Sequence, residues 1–136
     1  MKFLGLLLIA FATTVYAETT MSVYGNITCE YEWFKFKIFI LETDNLVHDE
    51  LLRDGYNTVT SPHEYNYTFT DWSDASDNFE IHFRIFHNCT NENHASMLDM
   101  KKQDIGYFPN KAGGIFEKKF DICLTSQGEE LKADDY

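Results

Sequence analysis

The sequence predicts an all-β fold, a two-sheet antiparallel β-sandwich with at most a short helical turn. Three observations predict it. Apolar and polar residues alternate with a period of two along five separate stretches, the separators carry turn chemistry, and the stretches are rich in β-branched and aromatic residues. Such alternation marks half-buried strands, because successive side chains leave opposite faces of the chain.

Taken in order, Val23, Ile27 and Cys29 share one face of the first stretch, with Asn26 and Thr28 on the other. Phe34, Phe36, Ile38 and Ile40 oppose Lys35 and Lys37. Between residues 45 and 54, NLVHDELLRD reads as a short helical turn inside an irregular connection. Tyr65, Tyr67 and Phe69 alternate with Asn66, Thr68 and Thr70, and Phe79, Ile81, Phe83 and Ile85 with Glu80, His82, Arg84 and Phe86. The last stretch sets Phe116, Phe120, Ile122 and Leu124 against Lys119, Asp121 and Cys123. Turns are expected at Glu42-Thr43-Asp44-Asn45, Arg53-Asp54-Gly55, Ser61-Pro62 and from Pro109 to Gly114.

The chain begins MKFLGLLLIAFATTVYA. Lys2, the apolar run from Phe3 to Val15 and the small residues flanking Tyr16 read as a secretory signal spanning 1–17. The run is short of the roughly 20 apolar residues that a spanning helix needs, so no transmembrane segment is expected. Residues 18–125 then form one domain, and 126–136 a polar, acidic and frayed tail. A formal charge of −11 disfavours nucleic acid as a partner. The expected location is extracellular.

Three cysteines in an oxidising compartment leave one over. The alternation turns Cys29 and Cys89 inward and Cys123 outward, which predicts a Cys29–Cys89 bridge with Cys123 as the odd thiol, open to a covalent dimer. The competing pairings, Cys29–Cys123 and Cys89–Cys123, each need one phase to be wrong. Glycosylation sequons stand at Asn26, Asn66 and Asn88. The same parity sends all three asparagines outward, which would reconcile an inward Cys89 with a sugar on its neighbour Asn88.

Several fragments together resemble nematode transthyretin-like proteins. They are Gly25-x-x-x-Cys29, the strand Phe36-Lys37-Ile38-Phe39 running into Leu41-Glu42-Thr43-Asp44, and Asp49-Glu50-Leu51-Leu52. Ile81 to Phe86 ending in His87-Asn88-Cys89, and Lys118-Lys119-Phe120-Asp121-Ile122, complete the set over residues 22–124. The resemblance implies a sandwich of transthyretin-like type, the Cys29–Cys89 bridge, and a secreted protein with binding or signalling roles, sometimes at cell surfaces. The chain departs from it at Thr60-Ser61-Pro62-His63-Glu64-Tyr65, where the family carries a T-D-x-x-G-x-F turn, and at Cys123, where glycine is common.

Function then divides three ways. A binding protein for an extracellular protein or cell-surface ligand would use the outward apolar residues Phe39, Leu41 and Phe86. A carrier of a small apolar molecule, by analogy with transthyretin, is the alternative, although fold alone does not transfer activity. An enzyme is not expected. The transthyretin fold that the resemblance implies also serves 5-hydroxyisourate hydrolase, but that enzyme's C-terminal Tyr-Arg-Gly-Ser is missing here, where the sequence reads Lys132-Ala133-Asp134-Asp135-Tyr136. His48, His63, His82, His87 and His94 form no metal-binding spacing. His82 is expected outward beside Glu80 and Arg84, and His87 inward as a hydrogen-bonded core residue. Asp71 to Asp77 is acidic but lacks the spacing of a calcium loop. No catalytic residue, cofactor or metal is expected.

Overall fold

The computed structural model describes residues 17–43, 48–72, 76–90 and 96–131, without the side chains of His48 and Lys101. Ten strands run in chain order: β1 (Thr19–Thr28), β2 (Trp33–Thr43), β3 (His48–Arg53), β4 (Asn57–Thr60), β5 (His63–Asp71), β6 (Asn78–His87), β7 (Leu98–Pro109), β8 (Ile115–Lys119), β9 (Ile122–Cys123) and β10 (Glu129–Glu130). They form two sheets, one ordered β5-β1-β8 with β9 also on β1, the other β10-β7-β6-β2-β3 with β4 also on β2. Every pairing is antiparallel except those of β1 with β8 and β9. The chain is an all-β sandwich, with no helix among the described residues.

The predicted parities build its interior. Met21, Val23 and Ile27 of β1, Phe34 to Ile40 of β2 and Phe79 to Ile85 of β6 contribute alternate side chains that are almost wholly buried. Burying each Phe or Ile contributes roughly 1.5–3 kcal/mol against leaving it wet. The sheets meet through aromatic edges: Phe83 of β6 packs T-shaped on Tyr65 and Tyr67 of β5, with ring centroids 6.2 and 6.4 Å apart. Tyr67 also crosses the sandwich to donate its hydroxyl to Asp54 Oδ2 at 2.9 Å, just after β3.

Where β1 passes the junction between β8 and β9, the backbones touch. An added Cβ on Gly25 would lie 2.1 Å from the Phe120 carbonyl oxygen, so only glycine fits there. The same carbonyl accepts the Tyr65 hydroxyl at 2.5 Å, and Asp121 Oδ1 accepts the Asn26 backbone N–H at 2.9 Å. Gly25 is thus a crossing point rather than a turn.

Three expectations are corrected. Residues 48–53, read as part of a helical turn, form β3 along β2, with a register shift at Ile40/Leu41. The remainder of that reading and of the Glu42–Asn45 turn falls on 44–47, outside the described residues, while β2 itself continues through Thr43. The tail does not fray from Ser126, because Glu129 and Glu130 pair with Asp99 and Leu98 of β7. The signal segment lies outside the described residues, apart from Ala17.

β7 was not expected as a strand at all. Its pairing with β6 slips between Ile81 and His82, with Ile105 left between the paired residues Asp104 and Gly106, and slips again between Phe83 and Ile85. Gly106 supplies φ 107° beside the first slip, a conformation that favours glycine. The bulges turn Ile105 and Phe108, three residues apart, to the same interior.

Candidate interaction face

Cys29 follows β1 and Cys89 follows β6, so their disulfide, with Cα atoms 5.9 Å apart, staples one sheet to the other. Ser61 lies beside it, accepting the Cys29 N–H at 2.9 Å and donating to the Cys29 carbonyl at 2.8 Å. His87 is fully buried on the same side. Its Nε2 donates to the Gln127 carbonyl at 2.8 Å and its Nδ1 accepts the Cys89 N–H at 3.1 Å, which fixes a neutral tautomer. Burial holds its pKa below the usual histidine value, against the opposing pull of that carbonyl. Cys123 is exposed and free, and hydrogen bonding from the Thr125 backbone draws its thiol pKa down.

The three sequons separate. Asn66 is exposed and Asn26 half-exposed, both on the outer face of the β5-β1-β8 sheet. Asn88 is the opposite of what parity predicts. It is only 3 % exposed, and its side-chain Oδ1 accepts the Lys35 N–H at 2.6 Å while its backbone N–H donates to the Lys35 carbonyl at 3.1 Å. Its backbone still continues the β6–β2 ladder and Cys89 beyond it is buried as parity predicts, so what differs is exposure: the Asn88 amide turns back onto the Lys35 backbone instead of reaching solvent.

His82 is corrected as well. It lies on the outer face, yet it is 3 % exposed, with Nδ1 2.8 Å from the Thr43 hydroxyl. β6 is an inner strand of its sheet, and Leu41 and Asp104 pair with His82 from the two sides. Its expected neighbour Arg84 turns instead to Asp99, a 3 % exposed carboxylate, in a two-pronged ion pair at 3.1 and 2.5 Å.

Phe39, Leu41 and Phe86 do share the outer face of the larger sheet, half-buried rather than bare. Phe39 and Phe86 meet edge-on with centroids 5.7 Å apart, and Leu41 follows two residues along β2. Register then adds groups that the linear pattern did not reveal. Phe39 pairs with Arg53 on one side and Arg84 on the other, and Phe86 pairs with Lys37. The Arg53 guanidinium lies 4.9 Å over the Phe39 ring, Lys37 Nζ 4.7 Å over the same ring, and Arg84 4.7 Å over Phe86. Lys37 also lies 5.4 Å over Tyr56, which is 57 % exposed. A shallow hollow of about 400 Å³ among Lys35, Tyr56, Thr58 and Met97 continues the face. Glu50 forms an ion pair with Arg53 at 2.8 Å, and that partner holds its carboxyl below the usual range. Three of the chain's eleven cationic residues, Lys37, Arg53 and Arg84, therefore gather among aromatic rings on one face of an acidic protein.

Among the described residues there is no cluster of three or more His, Cys, Asp or Glu placed to hold a metal. No helix there is long and apolar enough to cross a membrane. His94 and residues 73–75 of the acidic stretch lie outside the described residues. Compared with known proteins, residues 24–134 match the family described as Caenorhabditis elegans protein of unknown function (DUF870). No curated protein and no solved structure matches the chain. A match running from within β1 to beyond β10 takes in both sheets and the staple between them, and the chain belongs to this family of proteins of unknown function.

Proposed function

We propose that this is a secreted, extracellular binding protein of transthyretin-like type, not an enzyme, that engages a protein partner through the outer face of β2, β3 and β6. The observation that carries the reading is the interleaving of Lys37, Arg53 and Arg84 with Phe39, Phe86 and Tyr56. Aromatic and arginine side chains dominate the binding energy of protein interfaces, because they combine apolar area with directional polar groups. Arg53 and Arg84 already hold Glu50 and Asp99, so what the face offers a partner is chiefly aromatic and guanidinium-stem area, with Lys37 adding positive charge. Secretion is supported by the signal-like first 17 residues and by a disulfide, which persists outside reducing compartments. The transthyretin-like character rests on the sequence resemblance and on the two packed, mostly antiparallel sheets. Cys123, exposed on β9, offers a covalent link between two copies.

The carrier reading finds less support. A hollow of about 570 Å³ on the smaller sheet is lined by Asn26, Glu64, Asn66 and Lys119 as well as Tyr24 and Tyr65, a mixed set whose charges and amides suit an apolar guest poorly.

The test is binding of the labelled, purified protein to intact cells. Phe39→Asp with Phe86→Asp is expected to lower bound protein at least tenfold while circular dichroism and the disulfide are retained. Prior protease treatment of the cells should abolish binding by the unaltered protein. Undiminished binding by the double variant would remove this face from consideration, and sensitivity to heparan lyase instead of protease would redirect the reading to an anionic polysaccharide.

A further inference from the structure

The two outer faces of the sandwich differ in chemistry. The smaller sheet presents Ser22, Tyr24, Asn26 and Thr28 from β1, and Glu64, Asn66, Thr68 and Thr70 from β5. Ser22 and Thr68 hydroxyls bond each other across the pair at 2.9 Å. Tyr24, 41 % exposed, is the one aromatic ring in this set. The larger sheet presents the cation–aromatic array. Two of the three sequons lie on the first face and the third is enclosed at the end of β6.

Resting on the secretory reading above, we infer that the folded protein carries N-linked sugar at Asn26 and Asn66 and none at Asn88, so that carbohydrate shields one sheet and leaves the other bare for its partner. In the attachment chemistry the side-chain amide nitrogen bonds to the anomeric carbon of a lipid-diphosphate-linked oligosaccharide. The lipid diphosphate departs as leaving group, and one amide proton is lost with it. What distinguishes the three sites is whether the native fold has room for the product.

Asn66 stands exposed on β5, an outer strand of its sheet, and Asn26 engages the fold through its backbone, whose N–H donates to Asp121. Asn26 pairs with Glu64, so Asn66 is its diagonal neighbour, with Cα atoms about 7–8 Å away in ordinary sheet geometry. Sugars on both would roof the hollow between them and cover Tyr24. At Asn88 the amide is part of the wall. Its carbonyl oxygen and backbone N–H both bind Lys35, extending the β6–β2 ladder past its last paired residue, and the next residue is locked in the disulfide. A sugar on Nδ2 there would have to displace the wall, and with it the bond that satisfies Lys35 N–H. A chain that acquires one before folding cannot close the native sheet end. The Asn88 amide is reserved for structure.

The experiment expresses the full chain, its own first 17 residues included, in a eukaryotic secretory host. Protein is recovered from the medium and treated with a glycan-releasing amidase in ¹⁸O-water, and its peptides are mapped. Label is expected at Asn26 and Asn66, absent at Asn88, on a chain beginning at Glu18. Asn26→Gln and Asn66→Gln should each remove one glycan from the intact mass. Thr90→Ala, which destroys the third sequon without touching the Asn88 amide, should change the intact mass by the substitution alone, with no glycan lost and the yield unchanged. Label at Asn88 in disulfide-bonded, soluble protein would overturn the inference alone, as would bare Asn26 and Asn66 on a secreted chain. A chain retained in cells with residues 1–17 attached would overturn the secretory reading and the inference with it.

Discussion

His87 shows how one residue can tie stability to acidity. Its two ring nitrogens are committed, one donating to Gln127 and one accepting from Cys89, so a second proton has no acceptor and would face an N–H. Its pKa in the fold is below the ordinary 6.5, whereas the unfolded chain titrates near that value. Between the two values the unfolded state binds more protons, so stability is full above about pH 6.5 and falls as pH drops through the window. Thermal melts are expected to show a Tm loss as pH falls below about 6.5 that is reduced in His87→Gln relative to that variant's own neutral-pH Tm. Parity did read His87 as an inward, hydrogen-bonded core residue. It held again at Cys89, but the expected exposure failed at Asn88 between them, because the amide turns back to accept the Lys35 N–H, a contact that alternation does not reveal. It also gave the correct side for His82 but the wrong exposure, since burial on an outer face depends on which neighbours flank the strand.

Among the elements, those with unbroken alternation were legible and those carrying irregularities were not. β1, β2, β5 and β6 keep their parity through the core, and the sequence located them. β7 hides because its bulges place Ile105 and Phe108 three apart, which erases the period-two signal, and because Asp99, a charge, occupies a buried position. β3 was mistaken for a helical turn because its leucines are adjacent. Leu52 pairs with Ile40 while Leu51 falls at the register shift, and both pack against the core. The cation–aromatic face was half legible: Phe39, Leu41 and Phe86 followed from parity, whereas Arg53 and Arg84 join Phe39 only through cross-strand register. The crossing at Gly25 can be tested directly. Gly25→Ala drives a methyl into the Phe120 carbonyl, and denaturant titration should show a loss at or above the roughly 1–3 kcal/mol typical of overpacking. Gly55→Ala, with nothing within 4 Å of the new atom, should change stability by less than about 1 kcal/mol.

At the level of the whole molecule, two sheets are joined by one covalent link across 60 residues of chain. Closing a loop of that length contributes about 4 kcal/mol on the chain-entropy account. Replacing Cys29 and Cys89 together by Ala and Val should therefore lower the unfolding free energy read from denaturant titration by most of that amount, whereas Cys123→Ser, altering an exposed thiol, should leave it within about 0.5 kcal/mol. The staple has a further meaning when combined with the place of β1. That strand is made first, yet its neighbours in the sheet are β5, β8 and β9, the last two from beyond residue 114. On the ribosome, β2 to β6 can zip together and the sulfur link can form while one flank of β1 still waits for a strand not yet translated. The unfilled edge is a template for a neighbouring nascent chain. Crowded polysomes should therefore favour strand exchange between copies during that interval, until β8 and β9 emerge and close the open flank of β1.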